Sequence, residues 1–476
     1  MRKNSAKSKW AAMGLAVALL AGCMGKRCPH EPLAKEHPVT GKYVIHDVRL
    51  FDGVDTVLRE HQNVWIEDGK IVSITSANEI LPDGIKMIDF KGQDVTLLPG
   101  FVDAHVHLTA SGSVPWAPVR GDVRQNAATC LDAGITTVYD LGGMANKLEA
   151  ADQKIAAGKW RGPKIYHTHS PITTPGGHPI PAIQALLPKA AAGMVLKLIP
   201  QVGKPEEAGA ALDKVMKEGV DYIKVICDSF SPGLPEMGED VLRALVEESH
   251  KRGQRVFVHI GSAANALSAV RCEADVLAHG PFRSRLTPEQ AGIIGGSGIP
   301  MIYTYAACKG AAEITDGRLQ PDELDHRYTE DCILGPATGT QGKQFGEAPV
   351  LGGFGHEVLK HAPYQQENVR LLHVAGQRFL IGTDSPLPGA YVGSGFHHEM
   401  ELLHAAGIPT GEVLLGATCW AAKALLDKPD FGTVAPGMRA DLVIIHGNPI
   451  QDIRATRDLQ MVIQNGRVYE LTSSSK

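Results

Sequence analysis

The feature that most constrains the fold is an alternation of short apolar segments with helical segments, repeated from residue 97 to residue 426. The short segments are rich in the apolar residues expected of strands buried on both faces. Helical periodicity separates most of them, for example at residues 239–252, 263–272 and 366–375. Eight strands that alternate with helices predict an α/β fold, a parallel (β/α)8 barrel. The predicted strands are residues 101–107, 136–140, 164–169, 222–227, 255–260, 276–279, 301–305 and 378–384.

Both ends of the chain contain a different pattern, in which short β-rich runs are broken by turn residues. The runs lie at residues 43–50, 64–66, 71–74, 441–445 and 460–464. The dipeptide Asn465-Gly466 is typical of a tight hairpin turn. We therefore predict a small β-sandwich domain built from residues 41–96 and 429–476, beside a barrel of residues 97–428.

The first residues have the layout of an export signal. Basic side chains precede residues 10–20, an apolar stretch too short to span a bilayer as a finished helix. The following Leu-Ala-Gly-Cys sequence resembles the lipobox of bacterial lipoproteins, in which the thiol of Cys23 is acylated. We predict a signal peptide at residues 1–22, a tether at residues 23–40, and an exported protein anchored by lipid to the cell envelope, at the periplasmic or surface face of the outer membrane. A plain secretory signal is the alternative.

The charge of the chain limits the class of its binding partner. The formal net charge is −5, and no basic patch or basic run interleaved with aromatic residues occurs, which argues against a nucleic-acid partner.

The cysteines allow disulfide bonds, because export permits them. Cys308 and Cys332 fall in one irregular region and are one possible pair, but sequence does not establish connectivity. The oligomeric state is open.

Polar side chains that can bind metal end several of the predicted strands. Successive side chains of a strand alternate between its faces, so His105 and His107 point the same way. Burying polar groups without partners is costly, so their recurrence at apolar strand ends indicates a shared site. The carboxyl ends of barrel strands form the active-site face. The set is His105, His107, Lys224, His259, His279 and Asp384.

This set, in this order, resembles the amidohydrolase superfamily, and more narrowly its imidazolonepropionase-like and prolidase-like members, some of which are exported bacterial dipeptidases. The resemblance extends over about residues 43–469. It includes the closing segment at residues 431–443, Phe-Gly-Thr-Val-Ala-Pro-Gly-Met-Arg-Ala-Asp-Leu-Val. It implies a metal-dependent hydrolase.

The resemblance also implies a ligand set. One divalent ion would be held by His105, His107 and Asp384, and a second by the other two histidines of the set. Lys224 would bridge them as a carbamate formed with carbon dioxide, because an ammonium group has no lone pair to offer. Carboxylation needs a neutral amine, which burial favours by lowering the lysine pKa. Zinc is the expected metal, with manganese or cobalt as alternatives.

The implied reaction is attack by a hydroxide shared between two metal ions on a substrate carbonyl. Asp384 would act as general base and then as general acid toward the leaving amine. Single-metal deaminases of the superfamily carry an acid three residues after the histidine that corresponds to His259, and this chain has Ser262 there. We therefore predict hydrolysis of a C–N amide bond in a dipeptide or an N-acyl amino acid. The alternatives are lactonase, esterase or phosphotriesterase action, and a non-catalytic lipoprotein that binds a ligand.

Three further residues are candidates for contacting substrate. His178 ends a Gly-Gly-His loop that resembles the family's loop after the third strand, and would hold a carboxylate or stabilise an oxyanion. Tyr222 shares a strand face with Lys224, and Arg283 follows His279 closely and would pair with a carboxylate. The alternatives are a solvent-exposed loop histidine, a packed tyrosine and a surface arginine. The long connections after the third and seventh strands are predicted to cover the substrate.

Overall fold

A computed structural model describes residues 26–186 and 189–471. Cys23 and the predicted signal peptide lie outside these residues, so the export and lipidation predictions stay predictions. The described part of the chain has no helix that is both long enough and apolar enough to cross a membrane.

The described strands and helices follow the predicted alternation in the centre of the chain. The strands are β1 (Ala34–Glu36), β2 (Tyr43–Phe51), β3 (Leu58–Glu67), β4 (Lys70–Ser76), β5 (Lys86–Asp89), β6 (Val95–Pro99), β7 (Phe101–Val106), β8 (Ile135–Asp140), β9 (Lys164–His167), β10 (Ile223–Ile226), β11 (Val256–His259), β12 (Val276–Ala278), β13 (Met301–Ile302), β14 (Phe379–Leu380), β15 (Leu442–His446), β16 (Leu459–Gln464) and β17 (Arg467–Leu471). The α-helices are α1 (Val123–Asp132), α2 (Ala145–Ala156), α3 (Ile180–Leu186), α4 (Lys189–Leu196), α5 (Ala208–Met216), α6 (Glu239–Lys251), α7 (Ala263–Arg271), α8 (Pro288–Gly296), α9 (Tyr305–Asp316), α10 (Glu323–Tyr328), α11 (Asp331–Leu334), α12 (Gly339–Gly342), α13 (Gln344–Glu347), α14 (Leu351–His361), α15 (Gln365–Val374), α16 (Ser394–Ala405), α17 (Thr410–Gly416) and α18 (Cys419–Leu425).

The central strands run parallel in two sheets, β7-β8-β9 and β10-β11-β12-β13-β14. Backbone hydrogen bonds join the sheets at both edges. On one side Ile172 N donates to Lys224 O at 2.8 Å, and on the other Asp384 N donates to His105 O at 2.7 Å. The eight strands are therefore consistent with the predicted barrel, and their carboxyl ends face one common region.

The last two central strands are shorter than predicted. β13 and β14 each contain two residues, whereas the sequence predicted strands at 301–305 and 378–384. The backbone leaves the extended conformation soon after each strand, because Thr304 and Asp384 have φ angles of 55° and 59°. These left-handed conformations turn the chain toward the region where the strand ends meet.

Strands from both ends of the chain join one nine-stranded sheet, in the order β1-β17-β16-β15-β6-β2-β3-β4, with β5 beside β2. A buried apolar cluster draws on strands near opposite ends of this order, since it contains Ile71 of β4 and Val468 of β17. The turn before β17 meets the start of β4. A Cβ at Gly466 would lie 2.7 Å from the Cα of Gly69, so this approach requires glycine.

Much of the predicted tether lies against the body of the protein. β1 pairs with β17, and Ala34 N donates to the buried carboxylate of Asp132 at 3.1 Å. Cys28 forms a disulfide with Cys332, so the pairing of Cys332 with Cys308 considered from the sequence does not occur. Cys308 is a buried free thiol. The stretch predicted as a tether is therefore held by a strand, side-chain bonds and a covalent link.

The two long connections are largely helical. α3 and α4 occupy the connection after β9, and α9 to α14 lie in the connection between β13 and β14. Several of these helices border the region in front of the strand ends.

Candidate active site

Three predicted metal ligands meet at the ends of β7 and β14. Asp384 Oδ1 lies 3.2 Å from His105 Nε2 and 2.8 Å from His107 Nε2. One ligand atom from each of the three side chains lies within 4.8 Å of the others, which is close enough to hold a single ion. His107 Nδ1 lies 3.2 Å from Gly142 O, a contact that orients the ring with Nε2 toward Asp384.

Lys224, His259 and His279 border the same space from β10, β11 and the end of β12. The ring of His279 lies 4.2 Å from that of His259 and 4.7 Å from that of His105, measured between centroids. Lys224 is 3% exposed, and its Nζ has no hydrogen-bond partner. Burial lowers the pKa of Lys224 to about 7, which favours the neutral amine that carboxylation needs.

Burial favours the neutral, metal-binding form of three of the four histidines, whereas the hydrogen bond to Asp384 and nearby carboxylate charges together outweigh burial and raise the pKa of His107. Burial lowers the pKa of His105 and His279 well below the usual value, and the nearby charge of Lys224 acts in the same direction. The pKa of His259 is lowered mainly by burial. Neutral imidazole has the lone pair that a metal ion requires. Nδ1 of His105 is buried without a hydrogen-bond partner, and Nε2 of His259 makes no hydrogen bond but lies 3.7 Å from Asp228 Oδ2.

Three residues of this site have a left-handed backbone conformation. His279, Thr304 and Asp384 all have positive φ angles, of 75°, 55° and 59°. Such conformations are uncommon for residues other than glycine and gather at functional sites, where the surrounding structure holds them. Thr304 Oγ1 also lies 2.9 Å from His279 Nδ1 and fixes the orientation of that ring.

Asp103 positions the site from behind and was missed from the sequence. Its carboxylate accepts hydrogen bonds from His105 N at 3.2 Å, Thr383 N at 3.0 Å and Thr383 Oγ1 at 2.8 Å. These bonds tie the end of β7 to the backbone that carries Asp384. The available signal was an aspartate two residues before His105 in an otherwise apolar strand.

His178 lies in the cavity, as the sequence suggested. Its ring stacks on Phe230 at 4.2 Å and lies 5.6 Å from the ring of His259. Burial lowers its pKa well below the usual value, and its Nδ1 has no hydrogen-bond partner. A neutral imidazole at this place can donate or accept one hydrogen bond to a bound molecule.

Tyr222 and Arg283 already have protein partners and do not border the cavity among the residues described. The Tyr222 hydroxyl donates to Asp140 O at 2.9 Å and is fully buried. Arg283 is bonded to the buried carboxylate of Asp228, and its Nη2 lies 3.2 Å from Glu236 Oε1. Their predicted contacts with substrate stay predictions.

The strand-end residues open into a cavity of about 590 Å³. Its opposite wall is apolar and comes mainly from the long connections and from residues that follow the strands. The aromatic members of that wall, which sequence reasoning did not identify, are Phe230, Phe282, Phe345 and Phe354. Phe354 stacks on Phe230 with centroids 4.2 Å apart and an interplanar angle of 8°. We call these four side chains the aromatic wall.

A second group of potential ligands, Asp322, Asp325 and His398, lies elsewhere. Asp322 caps α10 by accepting hydrogen bonds from the backbone of its first turn. It also lies 3.1 Å from His398 Nε2 and 3.5 Å from Arg457 Nη1. Helix capping and ion pairing account for this group.

The cavity contains a histidine–aspartate cluster at the carboxyl ends of parallel strands. This arrangement is typical of the active site of a metal-dependent hydrolase. Residues 96–469 match the amidohydrolase family, and the chain belongs to that family. This confirms the family predicted from the sequence.

Known proteins are similar over most of the chain. An uncharacterised protein of Mycobacterium tuberculosis is 22% identical over 419 residues, which cover 85% of this chain and 91% of that protein. The crystal structure of a Xaa-Pro dipeptidase with bound methionine in the active site is 24% identical, with a TM-score of 0.71, over 90% of this chain and 100% of that one. The structure of molinate hydrolase is 20% identical, with a TM-score of 0.67, over 90% and 95% of the two chains. At these identities the solved structures show a shared fold.

Proposed function

We propose that the protein is a metal-dependent amidohydrolase that hydrolyses a C–N bond of a small amide. The observation that carries this proposal is the meeting of His105, His107 and Asp384 at the floor of a cavity, with ligand atoms within 4.8 Å of one another. Membership of the amidohydrolase family supports it.

The donor set fits two divalent ions. His105, His107 and Asp384 would hold the first, and His259 and His279 the second. Lys224 would bridge them as a carbamate, and its unpartnered, buried amine with a lowered pKa supports this role. Nitrogen and carboxylate ligands suit zinc, with manganese or cobalt as alternatives.

Divalent ions, when bound, lower the pKa of water from its bulk value toward ~7 and polarise a carbonyl. Asp384 is placed to take the proton of the attacking water and to deliver it to the leaving nitrogen as the C–N bond breaks and the C–O bond forms. Neutral His178 would donate a hydrogen bond to the oxyanion that develops on the carbonyl oxygen. The aromatic wall restricts water around these groups, which strengthens their electrostatic effects.

The sequence predicted a dipeptide or N-acyl amino acid as substrate, and the likeness to a Xaa-Pro dipeptidase supports including both in a test. The test measures hydrolysis of dipeptides, N-acyl amino acids, uncharged amides, esters and lactones by the full-length chain in detergent, loaded with zinc in bicarbonate. The expected result is that the unaltered chain hydrolyses an amide and that the Asp384→Asn variant does not. Hydrolysis of esters or lactones alone would contradict the amidase proposal.

The central strands and the nine-stranded sheet each suggest a closed arrangement. We propose that the eight parallel strands close as a (β/α)8 barrel, and the hydrogen bonds at both edges of the two sheets support this. We propose that the nine-stranded sheet folds over itself as a β-sandwich, and the close approach of Gly69 and Gly466 supports that arrangement.

We propose further that the protein is exported and anchored to the cell envelope through acylated Cys23. The disulfide between Cys28 and Cys332 supports an oxidising compartment. Cys23→Ser should shift the protein from the membrane fraction to the soluble fraction after cell lysis. Membrane association that persists in this variant would contradict the lipid anchor.

A further inference from the structure

The charged groups of the cavity are concentrated in the six predicted metal ligands, which we call the strand-end cluster. Apart from the six predicted metal ligands, the described side chains that border the cavity include one charged group, Glu218. They include no arginine and no lysine other than Lys224. The other polar side chains are those of Asn146, His169, Ser170, His178 and Thr304. Among the described residues outside the predicted metal ligands, the lining therefore has no cationic side chain that could pair with an anionic substrate group.

Arg283, which the sequence suggested as the partner of a substrate carboxylate, is already paired within the protein. Arg283 is 12% exposed and lies between the carboxylates of Asp228 and Glu236. Asp228 is itself fully buried, so drawing Arg283 away would remove the cation bonded directly to a buried carboxylate, which is costly. A substrate carboxylate that entered the cavity would lose its hydration without gaining an ion pair, and such burial is strongly unfavourable. A carboxylate drawn to the metal ligands instead would occupy the place that the scissile carbonyl needs.

The aromatic wall favours contact with apolar groups and not with charged ones. His178, Phe230 and Phe354 form a continuous stack, with neighbouring centroids 4.2 Å apart. Phe282 meets Phe354 edge to face at 5.5 Å. Phe345 lies in the same wall and is 4% exposed in the protein as a whole. Rings arranged in this way favour contact with a planar or branched apolar group.

Apolar side chains also continue to the mouth of the cavity. Met194 of α4 and Leu198, which follows that helix, border the cavity and are 65% and 51% exposed. Large apolar side chains exposed beside a cavity indicate a surface that binds apolar molecules. The lining is thus apolar from the surface to the aromatic wall.

We propose that the substrate is an uncharged amide with an aromatic or branched apolar group on the part that enters the cavity, and that it carries no carboxylate there. This inference rests on the proposed amidohydrolase function and names its substrate class. The scissile carbonyl lies at the strand-end cluster, and the apolar group contacts the aromatic wall.

The experiment uses two matched amides, N-hexanoyl-2-phenylethylamine and N-hexanoyl-phenylalanine, which differ only by a carboxylate. Binding to the zinc-loaded, full-length Asp384→Asn chain is measured by calorimetry, and kcat/KM is measured with the unaltered chain. We expect the uncharged amide to bind at least tenfold more tightly and to be hydrolysed with at least tenfold higher kcat/KM. Equal or tighter binding of the carboxylate, or no binding of either amide, overturns the proposal.

The two readouts separate this inference from the proposed function. Preferential binding of the uncharged amide without any hydrolysis supports the apolar site and contradicts the amidase. Met194→Arg supplies the missing cation at the mouth and should tighten binding of the carboxylated amide about threefold, as expected for a partly exposed ion pair. The control is Ile293→Arg, at a position that is 48% exposed and away from the cavity, which should change neither affinity.

Discussion

The floor and the wall of the cavity are built in different ways. The floor consists of polar side chains at the ends of parallel strands, where hydrogen bonds between strands fix their positions. Asp103 bonds the backbone of His105 and of Thr383, the residue before Asp384. The aromatic wall comes from segments that follow the strands and from the long helical connections, and it is held by ring packing. The site therefore separates chemistry from selectivity. Changes in the floor should alter turnover of every substrate, and changes in the wall should alter which substrates bind.

The largest expected effect comes from Asp384→Asn. An amide cannot take the proton of the attacking water, so kcat should fall by about 10²–10⁴-fold, the usual contribution of a general base. Metal content measured by mass spectrometry should stay partly intact, and KM should change little. Unchanged kcat for any amide substrate would remove Asp384 from this role and break the assignment of chemistry to the floor.

A smaller effect is expected from Phe354→Ala. This change removes the ring at one end of the stack, where Phe354 contacts both Phe230 and Phe282. The lost aromatic contacts should raise KM for N-hexanoyl-2-phenylethylamine roughly tenfold. The value of kcat should remain within about twofold, because Phe354 does not touch the strand-end cluster. Val374→Ala is the control at an exposed position outside the cavity. A fall in kcat with unchanged KM would contradict the separation.

The smallest effect concerns Glu399, a buried carboxylate of α16 that borders neither the floor nor the wall. Its Oε2 accepts a hydrogen bond from Ala306 N at 2.7 Å, and its Oε1 has no partner. Burial raises its pKa to about 8, so between roughly pH 4.5 and pH 8 the folded state binds more protons than the unfolded state. Stability from this group is present at low pH and is lost as the pH rises toward 8.

Thermal unfolding of the chain and of Glu399→Gln, at pH 5 and at pH 8.5, checks this sign. Relative to the glutamine variant, the unaltered chain should lose a few degrees in Tm at the higher pH. Equal pH dependence in both proteins would show that Glu399 is ionised in the folded state. Activity of the glutamine variant at pH 7 should be retained, since the group lies outside the cavity.

The same division explains what the sequence could predict. Side chains at strand ends have positions set by the strand itself, so His105, His107, Lys224, His259, His279 and Asp384 could be assigned to one site from their order and spacing. The aromatic wall could not, because Phe345 and Phe354 lie in a long connection whose path depends on tertiary packing. Arg283 shows the same limit, since nothing local to it indicates its bond to Asp228.

The fold follows the same rule. The alternation of strands and helices was visible because each unit has its own periodicity. The short β13 and β14 were overestimated, since the left-handed turns at Thr304 and Asp384 are properties of the site and leave no mark in the apolar pattern. The disulfide between Cys28 and Cys332 joins residues 304 apart in sequence, and no local signal links them.

The most direct test of the account is a metal titration. The full-length chain is stripped of metal, and zinc is added in bicarbonate while bound metal and hydrolysis of N-hexanoyl-2-phenylethylamine are measured together. The stripped protein should show no hydrolysis, and activity should rise in step with bound zinc, because without metal the floor can neither lower the pKa of the attacking water nor polarise the carbonyl. Full hydrolysis by the stripped protein would contradict it.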